Sequence, residues 1–186
     1  MNYIALLRGI NVSGQKSIKM PDLVKLFEFL GFRNVGTYVQ SGNVLFESGS
    51  LNPVEMVKKI ENKINEVYGF GVYVIIRSSE EIKKIITDNP LIKEPGIESE
   101  KLHVTFLREF PDKKAISPMD IKKEENEKFV ISGREVYIYC PNGYGRTNLN
   151  NATFEKKLNS KATTRNWKTT TKLNELLSFA SSRLSG

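Results

Sequence analysis

Apolar and polar positions along the first 78 residues fall into six successive patterns. Tyr3–Arg8 is an apolar, β-prone run and predicts a strand. Leu23, Val24, Phe27 and Leu30 share one helical face over Pro21–Leu30, with Pro21 suited to a first helical position and Gly31 to a stop. Val35–Gln40 and Asn43–Glu47 predict two strands joined at Ser41-Gly42. Asn52 and Glu55 have capping-box spacing, and Val54, Val57, Ile60, Ile64 and Val67 then recur at helical intervals through Tyr68. Val72–Arg77 predicts the last strand. The order βαββαβ is the ferredoxin-like pattern.

The second half, residues 79–186, predicts a further α+β subdomain of less regular pattern. Ser78-Ser79-Glu80-Glu81 opens a helix that Asn89-Pro90 stops. Residues 91–101 predict a long loop, and Leu102–Arg108 a strand. Pro111–Met119 predicts a short helix or turn broken by Pro118. Lys128–Ile131 and Glu135–Cys140 flank Ser132-Gly133-Arg134 as a hairpin, followed by a helix over Asn151–Leu158. A final helix over Trp167–Leu184 carries Trp167, Leu173, Leu176, Leu177, Ala180 and Leu184 as its apolar stripe. The expected class is α+β: a ferredoxin-like subdomain over 1–78, then a second subdomain over 79–186 ending in a basic helical segment.

Composition narrows this picture by exclusion. The 186 residues are 39% hydrophobic and 26% charged, ordinary values for a folded chain. No apolar run approaches the ~20 residues of a membrane helix, so no membrane partner is expected. The N-terminus has no basic region before its first strand, so no signal peptide is read. One cysteine, Cys140, and one histidine, His103, make neither an internal disulfide nor a Cys/His metal site. The expected compartment is the cytoplasm. Residues 141–186 hold eight Lys and Arg against two acids, and so contribute six of the net charge of +7.

Four polar segments interrupt the packing pattern. Arg8 to Lys16 joins a strand to a helix with Gly9, Asn11 and Gly14, a composition suited to cradling an anion. Its spacing is neither a Walker loop nor a dinucleotide fingerprint, so no cofactor is legible. The second segment, Tyr38 to Asn43, is a turn whose Gln40, Ser41 and Asn43 can either close the hairpin or face a ligand. The third, Asn142 to Asn148, offers Tyr144 between Gly143 and Gly145, followed by Arg146 and Thr147. The fourth, Thr163 to Trp167, is read as opening the last helix. There Arg165 opposes the helix dipole unless an anion sits beside it. His103 is expected to be a hydrogen-bonded structural residue, although a base role is open to it. No nucleophile–base pair and no isolated carboxylate pair can be read, so no enzymatic activity is assigned.

Together these segments resemble an uncharacterised bacterial family, domain of unknown function 1697. The resemblance rests on Arg8-Gly9-Ile10-Asn11-Val12 with Gly14, Lys19-Met20 with Asp22-Leu23, and Tyr38 with Gln40 to Val44. It continues through Gly143, Gly145-Arg146, Glu155 to Leu158, Thr163 to Trp167, Thr169 and Lys172-Leu173. Ser13 and Asn148 depart from it, standing where a glycine and a lysine are expected. The resemblance implies a cytoplasmic α+β protein and no activity.

The leading expectation is a surface that binds an anionic, phosphorylated ligand such as a nucleotide. Arg8, Arg146 and Arg165 would contact charge. Asn11, Gln40, Ser41, Asn43, Thr147 and Asn166 would orient the ligand, and Trp167 or Tyr144 would stack on a base. Two alternatives stand beside it: a non-catalytic nucleic-acid-binding protein, and an interaction protein whose motifs serve folding alone. Oligomeric state is not legible.

Overall fold

The computed structural model describes residues 1–12, 14–49, 52–116 and 120–182. It divides into two compact units. Unit 1 comprises Met1–Lys83 with the C-terminal stretch from Leu173, and unit 2 comprises Lys84–Lys172. Two predictions touch residues outside the description: the helix break at Pro118 and the last stripe position, Leu184. Ser13 lies outside it as well.

Unit 1 is built from β1 (Asn2–Leu7), α1 (Met20–Phe29), β2 (Arg33–Tyr38), β3 (Asn43–Glu47), α2 (Pro53–Tyr68) and β4 (Val74–Ser78). Its sheet runs β2-β3-β1-β4 with every neighbour antiparallel. This is the ferredoxin-like fold that the apolar pattern predicts. The α2 start shows how local chemistry fixes an element. The Asn52 side chain accepts from the Glu55 amide at 3.0 Å, and the Glu55 carboxylate accepts from the Asn52 amide at 3.3 Å. Two otherwise orphaned helix-end donors are thereby satisfied. Gly69 then ends α2 in the left-handed region, φ 73°.

Alternation along β1 sends Tyr3, Ala5 and Leu7 into the core with Leu23 and Phe27 of α1, Ile60 and Ile64 of α2, and Ile76 of β4. The rings of Phe27, Phe32 and Phe46 meet at 4.6–5.7 Å between centroids, and Tyr3 stacks on Phe46 at 5.7 Å.

Residues Ser79–Thr87 form α3, capped as expected by Ser78, whose hydroxyl accepts from the Glu81 amide at 3.2 Å. Unit 2 continues with β5 (Leu102–Leu107), α4 (Lys113–Ile116), β6 (Lys128–Ser132), β7 (Glu135–Tyr139), α5 (Asn151–Leu158), β8 (Ala162–Asn166) and the start of α6 (Trp167–Ser182), whose residues from Leu173 belong to unit 1. Its sheet runs β6-β7-β5-β8, again antiparallel throughout. Leu107, Val136, Ile138 and Cys140 of this sheet pack with Phe154 and Leu158 of α5.

The two sheets share one plan. The strand order of unit 1, second-third-first-fourth, recurs in unit 2. So does the way each first strand ends. Leu7 N–H donates to Gly42 O and Arg8 N–H to Tyr73 O; Leu107 N–H donates to Arg134 O and Arg108 N–H to Lys161 O. The fourth residue of each fourth strand is a buried arginine, Arg77 or Arg165. Each donates from Nη1 to the carbonyl just before it, at 3.0 and 2.9 Å. The second half is thus more regular than its sequence indicates.

β8 corrects the reading of the fourth polar segment. Thr163 to Asn166 is a sheet strand paired with β5, and α6 begins at Trp167, as the apolar stripe predicts. Asn166 is its cap, its side chain accepting from the Thr169 amide at 2.7 Å. Arg165 is therefore not a cation exposed at a helix start. It is 8% exposed and bonds to Thr163 Oγ1 at 2.8 Å. Burial brings its pKa down to about 10. The dipole argument for an anion beside it falls away. Trp167 is also buried, at 8% exposure.

Candidate functional site

The first two polar segments meet in unit 1. Asn11 holds them together. Its Nδ2 donates to Ile18 O and Gln40 O, both at 2.9 Å, while its Oδ1 accepts from the Ile18 amide at 2.8 Å. One carboxamide thus closes the β1–α1 loop on itself and ties it to the β2–β3 turn. Asn43 does similar work from the turn, donating to Tyr38 O at 2.9 Å and to Ser41 Oγ at 3.0 Å. It is fully buried.

Backbone strain concentrates where these loops touch. Gly9, Asn11, Gly14 and Lys16 in one loop, and Val39 and Gly42 in the other, all have positive φ. Val39, at 52°, is the costly one, because a β-branched side chain fits that region poorly. Lys16 is anchored by its ammonium, which donates to Gly71 O at 2.6 Å. Strained residues persist only where their surroundings over-determine them, and they cluster at ligand-contacting loops.

Between the loops and the start of α1 lies a cleft of about 500 Å³. Its walls are Asn11, Gly14, Ser17, Ile18, Lys19, Met20, Pro21 and Gln40. Ser17, Lys19 and Gln40 are exposed. Lys19 is the N-cap residue of α1, and no side chain caps that end. Asp22 supplies a negative charge in the first turn. Arg8 is half-buried at the root of the same loop. Lys19 was legible only as part of the family resemblance. Ser17 was not singled out, since nothing in sequence marks a serine between two loop lysines.

The other two polar segments meet in unit 2. Tyr144 and Arg146 lie in a 3₁₀ turn, Tyr144–Arg146, with Arg146 exposed. Thr147 is buried, and its hydroxyl accepts from the Leu149 amide at 2.9 Å. Asn148 donates to Lys122 O at 3.2 Å. Tyr144 donates its hydroxyl to Thr164 Oγ1 at 2.9 Å. Thr164 in turn donates to Asn151 Oδ1 at 2.7 Å and lies 2.6 Å from the Thr105 hydroxyl. With one proton given away, Thr164 is the acceptor for both Tyr144 and Thr105. The Tyr144 ring stacks on His103 with centroids 4.7 Å apart and planes 23° from parallel.

His103 sits 3.2 Å from Lys101 O through Nδ1. A carbonyl can only accept, so Nδ1 carries the proton in the neutral ring. Burial lowers the His103 pKa, and the Lys101 hydrogen bond offsets part of that. The neutral ring is favoured in the fold. Because the folded pKa lies below the unfolded 6.5, its contribution to stability is complete above pH 6.5. It declines as pH falls through 6.5 toward the folded value. The chain has one histidine, so its ring resonance stands alone in an NMR titration. The expected midpoint is below 6.5; a midpoint at or above 6.5 contradicts this environment.

Among the described residues no group of three or more His, Cys, Asp or Glu stands together to hold a metal. No helix among them is long and apolar enough to cross a membrane.

A family model described as "Protein of unknown function (DUF1697)" matches residues 1–137. The chain belongs to that family. The match spans the Met1–Lys83 part of unit 1 with its cleft, and in the unit 2 sheet β5, β6 and the start of β7. It ends before Tyr144, Arg146 and β8, so those segments lie outside the family match. The solved structure of a conserved bacterial protein from Streptococcus pneumoniae is similar, with a TM-score of 0.73 at 22% identity. The likeness covers 95% of this DUF1697 chain and 98% of that protein, and at such identity it shows the fold. No curated protein matches the chain.

Proposed function

We propose that this protein binds a small phosphorylated ligand, a nucleotide or comparable metabolite, in the unit 1 cleft. The carrying observation is the meeting of the β1–α1 loop, the uncapped start of α1 and the β2–β3 turn around about 500 Å³. That volume is in the range of small-molecule sites. Lys19 supplies a mobile positive charge, Ser17 a hydroxyl donor and Gln40 a carboxamide. The helix start contributes partial positive charge, which Asp22 reduces. Met20, Pro21 and Ile18 give an apolar wall for the ligand's organic portion. Asn11 and Asn43 hold the walls through the bonds already described, and they enter as positioning residues. Arg8 is the further cation of this segment. Arg146, Arg165, Thr147, Asn166 and Trp167 belong to unit 2 and take no part in this reading. The expected compartment is the cytoplasm, since the single buried Cys140 offers no disulfide framework.

The test is isothermal titration of the full chain with adenosine 5′-monophosphate. The variant Lys19→Glu replaces attraction by repulsion at an exposed site. It is expected to weaken binding about tenfold, on the order of 1.4 kcal/mol. Equal affinities would remove Lys19 and the cleft from the account. A short single-stranded RNA run in parallel separates sources of the same phosphate chemistry. RNA binding with a steep salt dependence, and none of the mononucleotide, would favour a nucleic-acid backbone.

A further inference from the structure

We propose that unit 2 carries a second, separate binding site, in which His103 and Asn166 together bind a neutral ligand presenting an amide or lactam edge. The two residues are directly paired across β5 and β8, so their side chains leave the same face of the sheet. Such paired residues stand about 5 Å apart at Cβ. His103 uses Nδ1 on Lys101 O, which leaves Nε2 as an acceptor. Asn166 uses Oδ1 on the Thr169 amide, which leaves Nδ2 as a donor. Neither Nε2 nor Nδ2 bonds to any described residue. His103 is half-buried and Asn166 exposed. An acceptor therefore stands beside a donor, the complement of an N–H beside a C=O.

The His103 ring is held by a neighbour on the same face of the sheet. Tyr144 lies flat against the imidazole, and its hydroxyl ends on Thr164, whose hydrogen bonds also engage Thr105 and Asn151. A polar edge fixed in advance loses little freedom when a ligand arrives. The lowered pKa of the ring keeps Nε2 unprotonated at neutral pH, as acceptance requires. A phosphate is not the expected ligand, because a neutral imidazole acceptor repels an oxyanion. The site is built from unit 2 residues alone.

The decisive probe is 1-methyluracil, whose single donor, N3–H, lies between O2 and O4 and so stands beside a C=O on either side. The control is 1,3-dimethyluracil, which keeps the ring and loses the donor. Titrated into the full chain at millimolar concentration, 1-methyluracil is expected to shift both the His103 ring resonances and the Asn166 side-chain amide. The dimethyl compound should bind about tenfold more weakly, the cost of one lost hydrogen bond. His103→Phe keeps a flat ring against Tyr144 without the acceptor, and should abolish the Asn166 response. Equal response to both compounds, no response to either, or an unchanged response in His103→Phe would overturn the proposal. If His103→Phe does not fold, the two-compound comparison on the unaltered chain still decides. Both probes are neutral, so failure of the anion cleft in unit 1 would not alter the outcome.

Discussion

Gly42→Ala is expected to destabilise the protein by roughly 3 kcal/mol, combining a left-handed backbone with overpacking. A Cβ at Gly42 would lie 2.8 Å from Leu7 Cβ and Ile10 Cδ1 and 2.9 Å from Ile10 Cγ1. Real Cβ atoms do not approach so closely. Leu7 is fully buried and Ile10 1% exposed, so neither can swing into solvent. Gly42 also has φ 76°, where an alanine costs about 1–2 kcal/mol on its own. Its carbonyl accepts the Leu7 amide, so relief by moving the turn would break the link between β1 and the hairpin. For a chain of this size the loss corresponds to a Tm lower by about 10 °C, measurable by thermal unfolding. Gly31→Ala is the companion. It shares a positive φ, 86°, but its Cβ would meet nothing within 4 Å, so only the backbone cost of about 1–2 kcal/mol applies. Equal losses at the two positions would mean that the contact with Leu7 and Ile10 contributes nothing.

Phe46→Ala should cost more still, about 3–5 kcal/mol. The ring is 2% exposed and touches the rings of Tyr3, Phe27 and Phe32. Its removal leaves a cavity that three rigid rings cannot fill by rotamer changes, so lost burial and lost packing add. Phe29 provides the contrast. It is 74% exposed on the outer side of α1, with the Lys63 ammonium 4.5 Å from its centroid. Phe29→Ala should change stability by less than about 0.5 kcal/mol. Chemical denaturation of both variants checks the pair. A Phe46→Ala loss below about 1 kcal/mol would contradict the aromatic core described for unit 1.

The contrast between the halves explains what sequence could reveal. Unit 1 is legible because each element is signalled twice, by periodicity and by an end signal such as the Asn52–Glu55 box or Gly31. In unit 2 the helix α4 is a single turn, too short to show a period. The last strand, β8, reads Ala-Thr-Thr-Arg-Asn. Polar residues there satisfy each other, Thr164 with Tyr144 and Thr105, and Arg165 with Thr163. A strand stabilised by side-chain hydrogen bonds lacks the apolar alternation that announces strands. Its threonines and asparagine imitate a helix start, and Asn166 is in fact one. The predicted helix start at Trp167 holds; it is the unrecognised strand before it that makes Arg165 read in sequence as a cation exposed to the helix dipole.

The candidate site was legible in outline. Glycines and small polar residues marked both unit 1 segments, but composition does not say which amide turns inward. Asn11 and Asn43 read in sequence as orienting groups, and the structure shows their carboxamides bonding within and between the loops. Of the exposed groups on the cleft wall, Gln40 is a candidate in sequence, while Ser17 and Lys19 read there as ordinary surface residues. Only the backbone path gathers them. His103 was similarly ambiguous, since one histidine in a strand gives no hint of which ring nitrogen is engaged.

The central claim is that the unit 1 cleft takes a phosphorylated ligand. Backbone amide NMR of the full chain, titrated with adenosine 5′-monophosphate, tests it at residue resolution. The prediction is that the amides of Asn11, Gly14, Ser17, Lys19 and Gln40 shift together along one saturating curve, while those of Tyr144 and Asn166 stay in place. Saturable shifts that leave the cleft residues unmoved, or no shifts at all, would contradict it.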